Sequence, residues 1–331
     1  MNLIKEEVMK NSKVVFLTSL SDQVVSEIIS FARKDFEIIV LNNSDSESKC
    51  ISEIKDCEFL LCHGKYPTDS MLNSAKNCKL VQLLAAGFDQ MNLPLLDSMK
   101  IPLANNGGAN SWAVSDHAVL LMLALYKKLI DSDKSTRDGT WKKPINGENT
   151  FEMANKKVGV LGIGNIGKKV ARRVQAFDAK VQYFDLFPLD DQLNSQLDLK
   201  YVSLDELFET SDIITSHMPL NDETFHLINS NRFLQMKNSS ILINTSRGEI
   251  IDEKALVDAL NNNEILGAGL DVFETEPVES DNPLLKMKNV IVTPHVAGTT
   301  WDTWARRSEF AFNNMIKIIE GEKILGQIND F

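Results

Sequence analysis

Between Lys13 and Pro294 the sequence alternates short apolar runs of strand length with amphipathic stretches of helix length, and this alternation restricts the possible folds more than any other feature. The first series reads KVVFLTS, then SDQVVSEIISFARK with Val24, Val25, Ile28, Ile29 and Ala32 on one helical face, then FEIIVL, EFLLC, a helix near DSMLNSAKN, and KLVQLLA. Buried strands separated by single helices pair in parallel through βαβ crossovers. A long apolar helix follows at NSWAVSDHAVLLMLALYKK, opened by a capping Asn110 or Ser111. The polar stretch DSDKSTRDGTWKKPINGENT after it reads as loop rather than as an element. A second series begins at Lys156 with the strands KVGVLG, KVQYF, DIITSH, SSILINT, GAGLDVF and NVIVTP. Six such strands with helices between them spell a doubly wound dinucleotide fold, whose functional residues gather just beyond the strands' carboxyl ends. The last helix, WDTWARRSEFAFNNMIKIIEG, is not needed to complete that sheet. It is free to cross back to the first series, which would make the first domain discontinuous.

A chain of 331 residues suits two domains of ~150 residues each. Its 43% hydrophobic and 24% charged residues are those of an ordinary globular protein, without the polarity that disorder requires. A formal net charge of -11 disfavours nucleic acid and anionic membrane surfaces, both of which need a basic face, so any anionic ligand must be caught by a local cation. The N-terminal MNLIKEEVMKNSK lacks the apolar core of a secretory signal, and no apolar run is long enough to span a bilayer. Cys50, Cys57, Cys62 and Cys78 match neither a redox pair nor a zinc spacing, and they read as reduced thiols of a cytoplasmic protein with no metal site.

In KKVGVLGIGNIGKKVARRV, Gly162, Gly164 and Gly167 form GxGxxG between a strand and a helix, the context that gives this otherwise weak motif its meaning. The first glycine permits the tight turn, the second lets main chain approach a pyrophosphate, and the third lets helix pack on strand. Asn165 and Ile166 begin the helix whose free amides and dipole favour phosphate. Asp185 ends the next strand, about 20 residues on, where an acid grips a ribose 2′-hydroxyl; with no Arg or Lys in the following LFPL, NAD is expected rather than NADP.

Further strand ends carry reactive side chains: Arg247 in NTSRGEI, Asp271 and Glu276 in LDVFETEP, and His295 in VTPHVAG. Alone, His295 could be a core residue, a metal ligand or a proton carrier. With an arginine and a carboxylate beside it at a nicotinamide, it becomes a candidate acid and base.

These motifs together resemble the D-isomer-specific 2-hydroxyacid dehydrogenase family. The matching segments are LGIGNIGKKVARR, SDIITSHMPLNDETFHLIN, ILINTSRGEIIDEKAL, GAGLDVFETEP and VIVTPHVAG, with weaker matches at AAGFDQMN and NSWAVSDHAVLLMLAL. The resemblance implies an α/β protein of two doubly wound domains. A Rossmann NAD-binding domain over residues 108–297 would be inserted into a flavodoxin-like substrate-binding domain made of residues 1–107 and 298–331. It also implies a homodimeric, NAD-linked reductase of small 2-oxoacids, with substrate bound in the interdomain cleft.

Carried over by position, Arg247 would hold the substrate carboxylate and polarise its carbonyl, and His295 would carry the proton to and from the carbonyl oxygen. Glu276 would bond the far ring nitrogen of His295 and favour its charged form. The resemblance places Met218, Pro219 and Thr224 near the adenine ribose, Thr245 and Ser246 on the nicotinamide side with Arg247 and His295, and Asp271 toward the carboxamide. His217 would be positional. Ala86 and Gly87 match a loop whose amides help hold the substrate carboxylate. Asp116 departs from the family pattern, where a glutamate is usual. Trp301, in the loop after His295, would cap a small substrate or pack against the returning helix.

Two other functions share this outline. Formate-type dehydrogenases need no proton carrier and tend to have glutamine where this chain has Glu276, so the acid argues for proton transfer. NAD-sensing corepressor relatives usually carry extra segments for partner contacts, whereas here little follows the nucleotide unit beyond one helix and GEKILGQINDF.

Overall fold

The structure is a computed structural model that describes residues 11–141 and 147–331. The expectations for the N-terminal MNLIKEEVMK and for KKPIN within the polar stretch lie outside the described residues. The chain divides into two compact units, one made of the residues up to Asn110 together with Thr300–Phe331, the other of Ser111–Thr299.

The first unit runs β1 (Ser12–Thr18), α1 (Asp22–Ser30), β2 (Phe36–Leu41), α2 (Glu47–Ile54), β3 (Phe59–His63), α3 (Asp69–Ser74), β4 (Leu80–Leu83), α4 (Leu93–Met99) and β5 (Leu103–Ala104). Its strands form a parallel sheet in the order β2-β1-β3-β4-β5, the flavodoxin-like arrangement. Both faces are buried, and strand alternation divides the core accordingly. Val15, Leu17, Leu60 and Cys62 pack on one side. Val14, Phe16, Phe59 and Leu61 pack on the other, with Trp304, Phe312 and Met315 from a helix at the far end of the chain.

The second unit begins with α5 (Ser111–Tyr126) and α6 (Leu129–Arg137) and continues β6 (Lys157–Leu161), α7 (Asn165–Gln175), β7 (Lys180–Phe184), α8 (Asp191–Leu197) and β8 (Lys200–Tyr201). It is completed by α9 (Leu204–Thr210), β9 (Ile213–Ser216), α10 (Ser230–Gln235), β10 (Ile241–Asn244), α11 (Glu253–Asn261), β11 (Gly267–Leu270) and β12 (Val290–Val292). The helix α12 (Trp301–Glu320) belongs to the first unit. The second sheet is parallel in the order β12-β11-β10-β9-β6-β7-β8, and it reverses direction between β6 and β9. That reversal is the topological switch where doubly wound sheets bind ligands.

Three expectations are corrected. The second sheet has a seventh strand, β8, and the first gains β5; each is two residues long, too short for periodicity to register. The polar stretch after α5 is partly helical, because α6 covers Leu129–Arg137. Its exposed faces carry pairs one turn apart, Asp133 with Arg137 at 2.8 Å and Lys134 with Asp138 at 3.6 Å, which support a helix that has little apolar stripe to reveal it. Trp301 does not lie in a loop packed against the returning helix: it is the first residue of α12, with 53% exposure, and Trp304 takes the buried place at 3%.

The C-terminal segment closes the edge of the first sheet. Ile328 N donates to Leu103 O at 2.8 Å, and the buried Asn329 accepts from Leu103 N at 2.7 Å. Cys50, Cys57, Cys62 and Cys78 are all free thiols, and among the described residues no helix is long and apolar enough to cross a membrane.

Candidate active site

Strand register brings the site together in the second unit. Leu161 of β6 and Asn244 of β10 both pair with Ser216 of β9, Asn244 pairs with Leu270 of β11, and Leu270 pairs with Val292 of β12. The loops leaving these strands therefore start from one level edge.

The glycine loop leaves β6. Gly162 has φ 87°, and a Cβ there would stand 2.9 Å from the carbonyl of His217, so the turn admits only glycine. A Cβ on Gly167 would lie 2.1 Å from Gly162 O, which is how closely α7 packs on the strand. Gly164, at the N-cap of α7, is different: a Cβ there would meet nothing within 4 Å. Open space thus lies over the loop just before Asn165 and Ile166 begin the helix, whose first amides have no partners inside it. Asp185 braces this loop, accepting from Ile163 N at 2.7 Å and from Phe187 N at 2.9 Å.

The next loops form the walls. Met218 is buried, and its side chain would lie 3.1 Å from a Cβ on Gly162. Thr224 is buried and fastens its own turn, donating to Pro219 O at 2.7 Å and accepting from Asn221 N at 2.9 Å, while Pro219 is exposed. Burial pushes the His217 imidazole down to about 3, so it is uncharged near pH 7, with a single ring proton. Its Nε2 contacts Thr215 Oγ1 at 2.9 Å. After β10, Ser246 Oγ donates to Asn244 Oδ1 at 2.7 Å, whereas the buried Thr245 hydroxyl has no hydrogen-bond partner among the described residues. An unmet buried hydroxyl and an open glycine cradle on one sheet edge fit a dinucleotide laid across it.

Arg247, Glu276 and His295 follow the neighbouring strands β10, β11 and β12. The buried Asn244 holds the Arg247 turn by donating to Arg247 O at 2.8 Å. Gly248 comes next, and a Cβ there would fall 1.9 Å from Phe273 C, so main chain presses on main chain and brings Arg247 toward the Glu276 loop. Glu276 accepts from Phe273 N at 3.0 Å with one oxygen and meets His295 Nδ1 at 2.6 Å with the other. Burial opposes ionisation of Glu276. The His295 contact, the Phe273 amide and the Arg247 charge outweigh it and hold the carboxyl below its ordinary value. Near neutral pH the site therefore contains a carboxylate tied to one ring nitrogen of a half-exposed histidine, with a guanidinium charge alongside.

Asp271 is buried, and its carboxylate is engaged within the protein: it accepts from Thr293 Oγ1 at 2.5 Å and from the amides of Val296 and Ala297 at 2.9 and 2.8 Å. Ala86 and Gly87 lie in the first unit, in the loop after β4, where Ala86 O accepts from Asn105 at 3.0 Å. Asp116 forms an ion pair with Arg173 at 2.5 Å, which joins α5 to α7. The sequence reading missed Gly248 and Asn244, and also a second histidine–glutamate pair, His226 with Glu274 at 2.7 Å. The SRG tripeptide offered a hint of the first; the others are visible only once distant segments meet.

Fold and site define an NAD-dependent oxidoreductase, and comparison with known proteins agrees. The family described as "D-isomer specific 2-hydroxyacid dehydrogenase, NAD binding domain" matches residues 119–297. The chain is 35% identical over 300 residues to a glyoxylate reductase of Thermofilum pendens, covering 89% of this chain and 88% of that protein. Its fold is similar to that of the D-isomer-specific 2-hydroxyacid dehydrogenase of Lactobacillus delbrueckii ssp. bulgaricus in its NAD complex, with a TM-score of 0.80, 25% identity, and coverage of 96% and 100%. It is also similar to the D-lactate dehydrogenase of Escherichia coli, with a TM-score of 0.81, 28% identity, and coverage of 96% and 100%. The chain belongs to the D-isomer-specific 2-hydroxyacid dehydrogenase family.

Proposed function

We propose that this enzyme reduces a small 2-oxoacid of the glyoxylate type to the corresponding 2-hydroxyacid, with Arg247, Glu276 and His295 as its catalytic set. The observation that carries this reading is the 2.6 Å contact between Glu276 and His295 Nδ1 beside the Arg247 charge. Bound NAD supplies or accepts the hydride at the substrate's second carbon. Gly162, Gly164, Asn165, Ile166 and Gly167 would hold its pyrophosphate, Asp185 its ribose, Met218, Pro219 and Thr224 the adenosine side, and Thr245, Ser246 and Asp271 the nicotinamide side.

Arg247 is permanently charged and planar, and its fork matches a carboxylate as lysine cannot, so it anchors the acid end of the substrate and polarises the adjoining carbonyl. With Nδ1 held by Glu276, His295 is left with Nε2 to give a proton to the carbonyl oxygen, and to take it back in oxidation. Ala86 and Gly87, in the first unit, would offer main-chain donors to a substrate carboxylate. The first unit, with a boundary near residues 107 and 298, would serve the substrate, and the second would serve NAD. Turnover of NADH with a panel of 2-oxoacids tests the proposal, and binding of NADH without turnover of any of them would favour the sensor reading instead.

Glu276→Gln keeps a polar partner for Nδ1 and removes the anion that favours the imidazolium. The pH profile of reductive activity is expected to differ from wild type in this variant, because the anion that touches the proton carrier is gone. Superimposable pH profiles would detach Glu276 from proton transfer.

We also infer a cytoplasmic homodimer. Trp112, Leu120, Ile130 and Trp141 are 49%, 52%, 58% and 67% exposed along and just after α5 and α6, and a second copy would cover this apolar surface. The four free thiols accord with a reducing compartment. Light scattering should return twice the mass of one chain, and a monomer at micromolar concentration would refute the dimer.

A further inference from the structure

We propose that His117 and Thr293 are positioning residues: a hydrogen-bond chain running from α5 through both to the buried carboxylate of Asp271 holds the main chain that carries His295. The inference rests on the reading of His295 as proton carrier.

His295 stands in the left-handed region, with φ 52°, a conformation that side chains bearing a Cβ adopt only when the surroundings impose it. What imposes it is Asp271. The main-chain oxygen of Asp271 takes the His295 amide at 2.8 Å, and its carboxylate takes the next two amides, those of Val296 and Ala297. Three successive N–H groups thus end on one residue, one on its carbonyl and two on its carboxylate. Asp271 is fully buried, so its carboxylate oxygens must find their partners inside the protein.

One of those partners is the Thr293 hydroxyl, at 2.5 Å from Oδ1. Thr293 donates in this bond, so its single hydroxyl proton goes to Asp271. The 2.9 Å contact between Thr293 Oγ1 and His117 Nε2 must then be a donation from the ring, which places a proton on Nε2. His117 Nε2 is itself 3.7 Å from Asp271 Oδ1. His117 is partly buried on a helix whose core-facing residues include Ala113, Val114, Ala118 and Leu121, so core packing alone does not call for an imidazole there. Without either side chain the chain of donors breaks, Asp271 loses part of its support, and the loop is free to relax from the left-handed turn.

The test compares Thr293→Val and His117→Leu with the conservative Thr293→Ser and His117→Gln, which keep the hydroxyl and a terminal N–H, and with His295→Ala. Melting temperature and NADH binding establish that each protein is folded. Displacement of a reacting group by about an ångström can cost up to ~10²-fold, so Thr293→Val and His117→Leu should lower kcat by roughly 10-fold or more. The KM for NADH should change less than kcat, because the glycine loop that would hold its pyrophosphate is untouched and only Asp271, on the nicotinamide side, loses support. Thr293→Ser and His117→Gln should recover most of the rate, and the Val/Leu double variant should be no slower than the worse single variant, since both cut one chain. Wild-type kcat in the folded single variants, no recovery by the conservative ones, or losses that multiply in the double variant would each overturn the inference. If His295→Ala itself retains full turnover, the proton-carrier reading falls and this inference with it. If His295→Ala is inactive while Thr293→Val and His117→Leu are not, only this inference falls.

Discussion

Replacing His295 with alanine is expected to lower the rate of 2-oxoacid reduction by ~10²- to 10⁴-fold, the usual contribution of a positioned general acid. The variant must be chosen with the backbone in mind. At φ 52° an alanine is strained, whereas asparagine tolerates the left-handed region and preserves the turn around Asp271. His295→Asn should therefore match the alanine variant in lost rate while melting closer to wild type. Equal losses would assign the effect to the missing imidazole. A His295→Asn enzyme with near-normal kcat would show that the loop, and not the ring, had been needed. In either variant NADH binding should persist, since the glycine loop sits on β6, four strands from β12.

Arg247→Lys should reduce kcat/KM for the 2-oxoacid by roughly 10²-fold, in line with the ~2–5 kcal/mol that follows when one member of a buried, hydrogen-bonded charge pair is lost. Lysine retains the charge but not the fork, so it cannot grip a carboxylate through two parallel bonds. It also cannot reproduce the bond from Arg247 Nη1 to Ser246 O at 2.7 Å, which helps set the direction of the side chain. A fall concentrated in KM would mean that Arg247 chiefly binds; an equal fall in kcat would mean that it also stabilises charge growing on the carbonyl oxygen. Unchanged kinetics in Arg247→Lys would remove the arginine from the site.

Legibility in the sequence followed the range of the interaction. The glycine loop is read from six residues because turn, cradle and helix packing all lie within one local segment. The strands of both sheets stand out because each is buried on two faces and so reads as an apolar run. Where an element is two residues long, as β5 and β8 are, or polar on most sides, as α6 is, no period exists to be seen. Trp301 and Trp304 sit one turn apart in similar local sequence, and only the packing of α12 decides that one is 53% exposed and the other 3%.

The candidate site divides the same way. Local sequence by itself determined the parallel α/β class, the second unit's dinucleotide loop, and which strand ends carry an arginine, a glutamate and a histidine. Only the tertiary structure decided that these three share one edge, that Asp271 spends its carboxylate on the His295 loop, that Gly248 lets two main chains touch, and that His117 reaches Thr293 from a helix far away in sequence. The physical reason is that periodicity and turn chemistry act over a few residues, whereas a hydrogen bond joins whatever strand order and register bring within about 3 Å.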